Sequence, residues 1–238
     1  FKNKKMIFVA TSSWMYEVAL KSPLTNGHKV VEIPLSIDRD IFKVDEEINK
    51  EKILKDYGIE ICDKPKILLY GAMNATTDIR KGFELLKRAL LNINESDKKK
   101  YILLVFGDNI NLKFVSGVRV VSLGLINNKK EISNLYNCSD LFLMPSIQEA
   151  FGLTTLEAIN CGCPVVAFRN TGAESIIKHK ENGYLAKNGD SAEFFIGITY
   201  FMNNSNRLAL PLDSKFNENI ISMGYKNLYE ELMPNKLT

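Results

Sequence analysis

The sequence predicts an α/β fold built on a parallel sheet flanked by helices. Short apolar runs rich in β-branched residues alternate with amphipathic stretches, the βαβα pattern of a parallel sheet between helices. The runs are almost continuously apolar, as in strands covered on both faces. The chain has 238 residues, 45% of them hydrophobic and 25% charged, enough to bury a sizeable core in one or two globular domains.

The first run, "MIFVA" at 6–10, leads into a helical stretch near 13–22 and a second run, "KVVEI" at 29–33. Pro34 ends that strand, and the acidic stretch that follows, up to Glu47, has no periodicity, which marks a boundary. A lone strand–helix–strand piece of this size cannot hold a core. A helix is expected near 47–57. Six runs then follow in a self-contained series from about 60 to 190: "KILLY" (66–70), "YILLVF" (101–106), "VRVVSL" (118–123), "DLFLM" (140–144), "PVVAF" (164–168) and "GYLA" (183–186). Their helices should fall near 82–92, 129–137, 153–161, 173–178 and 191–203. A closing helix near 216–233 carries Ile220, Ile221, Tyr225, Leu228 and Leu232 at helical spacing.

Composition excludes several classes. A net charge of +3 does not argue for nucleic acid, and the lysines at 2–5 and 98–100 do not continue into a basic stripe. The four cysteines at 62, 138, 161 and 163 form no C-x-x-C, and with only two histidines a zinc site is not expected. They read as reduced, mostly buried thiols of a cytosolic protein. The apolar run after the N-terminal lysines is too short for a signal peptide, and no segment approaches the roughly 18 apolar residues of a membrane span. The chain starts at Phe1, so it is expected to be a piece of something longer.

Two loops carry the chemistry. In "LLYGAMNATTDIRKGFELL" a buried strand runs into Gly71, and a polar loop ends in Arg80-Lys81-Gly82 at a helix start. Open α/β sheets bind ligands in the loops beyond the carboxyl ends of their strands. A helix N-terminus there offers N–H groups and partial positive charge, so Lys81 beside it suits a phosphate. Neither a Walker A loop nor G-x-G-x-x-G is present. In "PSIQEAFGLTTLEAINCGC" a strand ends at Pro145, the loop carries Glu149, Gly152 opens a helix, and Glu157 lies about one turn inside it. The backbone N–H groups of Ala150, Phe151, Gly152 and Leu153 would form an anion cradle between two carboxylates. A carboxylate can accept from two vicinal hydroxyls, as acidic residues do on ribose, so the constellation suits a diphosphate flanked by two sugars.

As a whole, "PSIQEAFGLTTLEAINCGCPVVAF…TGAESI…ENGYLA" resembles the C-terminal lobe of the group 1 (family 4) retaining glycosyltransferases, with their Glu-x7-Glu motif. The resemblance runs over almost the whole chain. "ATSSWMYEVA" is similar to the last strand–helix of that family's N-terminal lobe, "EIPLSIDRDIF" to its interlobe segment, and "YGAMNATTDIRKG" to its phosphate site. "LLVFGD" and "VVSLGLI" are similar to the strands at its base pocket, and "MGYKNLYEEL" to its final helix.

The resemblance implies a Rossmann-like, parallel-sheet C-terminal lobe of a GT-B glycosyltransferase. Residues 1–33 would be the remnant of the N-terminal, acceptor lobe, and 34–60 the interlobe linker with the first helix. Residues 61–212 would be the nucleotide-sugar-binding domain, and 213–238 the helix closing back toward the N-terminal lobe. Catalysis would fall to Lys81, on the donor diphosphate, and Glu149, on the transferred sugar. Glu157 would hold the ribose, and the backbone of Leu125 and Ile126 would meet the base. Gly71, Ala72 and Arg80 would line the phosphate side. The donor would be UDP- or GDP-linked, used without a metal or other cofactor, and "DRD" at 38–40 would be a turn.

The resemblance further implies a saccharide or lipid-linked acceptor, held by the missing lobe, in polysaccharide or glycolipid synthesis. The full-length protein is then expected in the cytoplasm, peripherally at the inner face of the cell membrane. The isolated chain should turn over little. The family usually has arginine where this chain has Ala72; either Arg80 substitutes for it from beside Lys81, which is the favoured reading, or diphosphate binding is weaker. The competing readings are a non-catalytic nucleotide-sugar-binding module needing a partner chain, and an epimerase or phosphorylase of the same architecture.

Overall fold

The structure, a computed structural model, describes residues 6–60, 64–109, 111–204 and 213–233. It opens with a two-stranded parallel sheet, β1 (Ile7–Ala10) and β2 (Lys29–Glu32), joined by α1 (Ser13–Lys21). After α2 (Lys50–Asp56) comes the main sheet. Its strands are β3 (Lys66–Gly71), β4 (Tyr101–Phe106), β5 (Phe114–Val115), β6 (Val118–Gly124), β7 (Leu141–Met144), β8 (Val165–Phe168) and β9 (Gly183–Ala186). They lie in the order β5-β6-β4-β3-β7-β8-β9, and every pair is parallel except β5 with β6.

The helices are α3 (Phe83–Leu91), α4 (Glu95–Lys98), α5 (Lys129–Cys138), α6 (Leu153–Asn160), α7 (Ser191–Asn203) and α8 (Glu218–Leu232). The chain builds β3, β4 and β6 outward in one direction, then returns to lay β7 against the other side of β3. The order of strands therefore reverses between β3 and β7. A doubly wound sheet opens a crevice at such a point, because the loops leaving the two strands diverge to opposite faces.

The continuous apolar runs are explained by burial on both faces. From β3, Ile67 and Leu69 enter one core with Leu135, Tyr136, Leu156 and Ala158 of α5 and α6. The alternate residues Leu68 and Tyr70 enter the other core with Phe83, Leu86, Phe194 and Ile198 of α3 and α7. Removing each such large side chain from water contributes roughly 1.5–3 kcal/mol. Helix α8 packs elsewhere: its Ile221 and Leu228 lie on Ile33, beside Val9 and Val31 of the small sheet.

One expectation needs correction, and two short elements were not foreseen. Residues 173–178 do not form a helix; a 3-10 turn spans Gly172–Ser175 and stops there. Gly172 is pressed so closely on the backbone of Ala150 and Phe151 that a Cβ would come within 2.3 Å of the Ala150 oxygen, and packing holds the segment in place of a helical ladder. The sheet also gains β5, through a hairpin whose turn residues Ser116 and Gly117 both have positive φ (51° and 83°). That left-handed pair matches the right-handed twist of the flanking strands. The short helix α4 adds one turn where the sequence reading placed no element. The buried thiols Cys138, Cys161 and Cys163 are where the composition suggested; Cys62 lies outside the described residues.

Candidate functional site

The loops leaving β3 and β7 meet over the crevice. The first closes with a 3-10 turn, Ile79–Lys81, capped by Asp78, whose carboxylate accepts from the Arg80 N–H. Gly82 then takes a left-handed conformation (φ 70°) and starts α3. A Cβ there would sit 1.8 Å from the Pro145 carbonyl oxygen, so only glycine lets the two loops touch. Two residues on, the Ile147 N–H donates to the Arg80 carbonyl at 2.9 Å. Tyr70 supports the loop from beneath, its hydroxyl donating to the carbonyl of Ala75 at 2.6 Å, with that of Lys81 at 3.2 Å.

This junction brings Lys81 and Glu149 together, with Lys81 Nζ 3.0 Å from Glu149 Oε2. Both side chains are about three-quarters buried, at 25% and 21% exposure. Arg80 is engaged by its neighbour instead: its Nε and Nη2 hold the Asp78 carboxylate at 3.0 and 2.7 Å. That grip pulls the Asp78 carboxyl down to about 2.

The loop after β7 is fixed from behind by its carbonyls. The Glu149 carbonyl accepts from Gly172 N–H at 2.6 Å, and the Ala150 carbonyl from Ser12 Oγ at 2.5 Å. Phe151 packs edge-on against Phe216. With the carbonyls engaged, the N–H groups are left over. Among the described residues, none of the backbone N–H groups from Gln148 to Thr154 has a protein acceptor. Gly152 makes the turn at φ 91°, and α6 begins directly after it. A row of unpaired N–H groups running into a helix start, next to a lysine, is an anion-binding surface.

Glu157 lies at the far end of that surface, on α6. Tyr136 Oη donates to its Oε2 at 3.1 Å. Burial pushes the Glu157 carboxyl up to about 7, while the Tyr136 hydrogen bond and the nearby Lys129 charge pull the other way. Gly124 ends β6 at φ 69°, giving its carbonyl to Gly107 N–H. Beyond it Leu125 is 65% exposed and Ile126 packs on the core, and neither has a backbone hydrogen bond within the described residues. Gly71 and Ala72 form the floor at the end of β3, where a Cβ on Gly71 would strike the Phe106 ring. Of the residues picked from the sequence, Gly71, Ala72, Leu125, Ile126 and Glu149 lie at or just beyond strand ends and Glu157 lies in α6, while Lys81 and Glu149 are brought into direct contact.

Sequence reasoning missed Tyr136, Ser12, Tyr70 and Gly172, which hold the site residues from behind. Tyr136 reaches Glu157 across 21 residues and Ser12 reaches Ala150 across 138, so no local pattern announces either contact. The "DRD" segment forms a turn, with Asp38 Oδ1 accepting from Asp40 N–H and Ile41 N–H. Among the described residues no three His, Cys, Asp or Glu side chains converge on a metal position, and no helix is long and apolar enough to cross a membrane.

Residues 59–223 match the family described as glycosyl transferases group 1, and the chain belongs to that family of sugar-transferring enzymes. An uncharacterized glycosyltransferase of Methanocaldococcus jannaschii is 32% identical over 191 residues, 76% of this chain and 45% of the relative. The sucrose-phosphate synthase of Thermosynechococcus elongatus shares the fold with a TM-score of 0.75 at 21% identity, over 96% of this chain and 58% of its own. Anabaena HepE in complex with UDP-glucose does so with a TM-score of 0.68 at 20% identity, over 95% and 63%. The chain spans about half the length of the curated relatives it matches over most of its own length.

Proposed function

We propose that this chain is the donor-binding lobe of a GT-B glycosyltransferase that takes a sugar from a UDP- or GDP-linked donor and transfers it with retention of configuration. The observation that carries the reading is the Lys81–Glu149 pair at 3.0 Å, set at one end of an unpaired row of backbone N–H groups with Glu157 at the other. Diphosphate oxygens replace the Glu149 carboxylate as the acceptor for Lys81 and take the N–H groups of 150–153. Glu149, displaced from the lysine, then accepts from hydroxyls of the transferred sugar. Glu157 accepts from the ribose, and Leu125 and Ile126 present backbone N–H and C=O groups to the base. HepE, which shares the fold, was solved with UDP-glucose, and this supports a donor of that class.

The chemistry asked of these residues is electrostatic. As the bond from the sugar to the diphosphate breaks, negative charge grows on the leaving phosphate, facing Lys81 and the N–H row. A preorganised cation and fixed dipoles in a partly buried site stabilise that charge without reorganising. Arg80, although its guanidinium is held by Asp78, stands within electrostatic reach of Glu149 and is the second cation of this scheme in place of Ala72. No metal is needed for the leaving group. The acceptor, a saccharide or a lipid-linked one, is held by the lobe of which residues 1–33 are part. The buried free thiols of Cys138, Cys161 and Cys163 fit a cytoplasmic enzyme of polysaccharide or glycolipid synthesis, working peripherally at the membrane's inner face.

Calorimetric titration of the chain with UDP, GDP and their hexose conjugates tests the reading. Binding of one nucleotide series, lost in Lys81→Ala, is expected. Equal affinities for wild type and Lys81→Ala, or no binding of any, would sink it.

A further inference from the structure

Glu157 sits on the first turns of α6 with its carboxylate over the body of the protein, and the group it meets there is a tyrosine from the preceding helix. Tyr136 is fully buried. Its ring is held edge-on by Phe142 (centroids 5.3 Å, 88°) and by Phe106 (6.3 Å, 81°), and at a tilt by Phe42 (6.3 Å, 56°). Such a cage leaves the ring no second rotamer, so its hydroxyl is delivered to one fixed point. That point is Glu157 Oε2, at 3.1 Å.

We propose that Tyr136 is a positioning residue of the nucleotide site: its caged hydroxyl holds one carboxylate oxygen of Glu157 and leaves the other turned to the ribose hydroxyls. The proposal rests on the reading of Glu157 as the ribose acceptor and adds how that acceptor is kept competent. An ionised carboxylate is acceptor-only and can take two vicinal hydroxyls, whereas a protonated one spends an oxygen as donor. Burial favours the protonated form, raising the group to about 7, and the tyrosine opposes this.

The charged and titratable groups facing this pair are few. Helix α5 supplies Lys129 and Tyr136, and the Cys161 and Cys163 thiols at the end of α6 lie beside the tyrosine. Strands β7 and β8 present only apolar side chains to it. Among the described residues the Tyr136 hydroxyl is thus a neutral donor bound to the carboxylate from the core side.

Two readouts test this in the 238-residue chain. Carbon-13 NMR titration of the Glu157 side-chain carboxyl needs no ligand. Its midpoint should rise by about one pH unit in Tyr136→Phe, which removes one hydrogen bond to the charged form. With 3-fluorotyrosine at 136, a stronger donor of nearly the same shape, it should fall. The second readout is the affinity ratio between UDP (or GDP) and its 2′,3′-dideoxy analogue, in which titration of the terminal phosphate cancels. Wild type should prefer the ribose form by tenfold or more at pH 7. Tyr136→Phe should lose most of that preference at pH 7 and regain it near pH 9.

An unmoved midpoint in both variants overturns the positioning role, whatever the nucleotide data say. So does a ribose preference in Tyr136→Phe equal to wild type across the pH range. A wild-type chain that binds UDP or GDP without distinguishing the dideoxy form instead overturns the ribose reading of Glu157. The two failures are therefore separable, and the fluorotyrosine variant keeps the first decidable if the phenylalanine variant folds poorly.

Discussion

Lys81 Nζ lies 3.0 Å from Glu149 Oε2, so the two groups that the proposed reading assigns to the donor are spent on each other. A partly buried pair of this kind is worth on the order of 1 kcal/mol, which an incoming diphosphate has to overcome. Removing the carboxylate relieves the diphosphate of that competition. Glu149→Gln is therefore expected to bind the free nucleoside diphosphate about fivefold more tightly. The same variant should bind the nucleotide-sugar no better than the diphosphate alone, because the sugar has lost its acceptor. Titration calorimetry with both ligands decides it, and an equal loss for both would show that Glu149 supports the phosphate site instead.

Gly82 carries the junction of the two loops. Its φ of 70° and the 1.8 Å approach of a would-be Cβ to the Pro145 oxygen combine a backbone penalty with a collision. The left-handed conformation costs an alanine about 1–2 kcal/mol, and overpacking adds a further 1–3. Gly82→Ala should thus lower stability by about 2–5 kcal/mol in urea unfolding and shift Lys81 away from the N–H row. A variant as stable as wild type would mean that the loops can part without cost, and that their contact does not set the site.

These two relationships show what could be read from sequence and what could not. The strand positions were legible because burial on both faces leaves a continuous apolar run, as in "KILLY" and "YILLVF". The placing of Lys81, Glu149 and Glu157 on the fold was legible because each lies within a few residues of a strand end or a helix start. The Lys81–Glu149 contact was not, since it joins positions 68 residues apart and depends on the order in which strands enter the sheet. Strand β5 escaped because two residues carry no periodicity, although Ser116-Gly117 between valines was a usable hairpin signal. The 173–178 segment looked helical by pattern and was stopped by packing against the β7 loop, which is tertiary.

Glu157 should make stability depend on pH in the absence of any ligand. Its carboxyl is raised from an ordinary glutamate value of 4.5 to about 7 in the folded chain. Between those values the folded state binds more protons than the unfolded one, so stability is fully present below about 4.5 and falls as pH rises through 7. The loss is up to about 3 kcal/mol. Glu157→Gln has the same shape and no charge to desolvate. Its melting temperature should match wild type near pH 4 and exceed it by roughly 5–10 °C at pH 8, the difference growing across the window. The gain should come with weaker nucleotide binding. Parallel melting curves at all pH values would show that the carboxylate is well solvated in the folded state.

Ser12 Oγ donates to the Ala150 carbonyl at 2.5 Å, and the neighbouring Ser13 meets Ser175, N–H to Oγ at 3.1 Å and Oγ to Oγ at 2.7 Å. Ser12 also caps α1, accepting from Met15 N–H at 3.2 Å. One buried hydroxyl therefore ties the first strand–helix piece to the loop that carries the N–H row. Ser12→Ala removes the cap and leaves the Ala150 carbonyl without its donor, a cost of about 1–3 kcal/mol. Stability alone would not distinguish the two losses. Ser12→Asp does, because aspartate keeps the cap but offers the carbonyl no donor and sets a like-signed oxygen against it. If the tie to Ala150 orients the N–H row, both variants should weaken nucleoside diphosphate binding by a similar factor, near tenfold, in calorimetry. If Ser12 matters only as a cap, the aspartate variant should bind as wild type does.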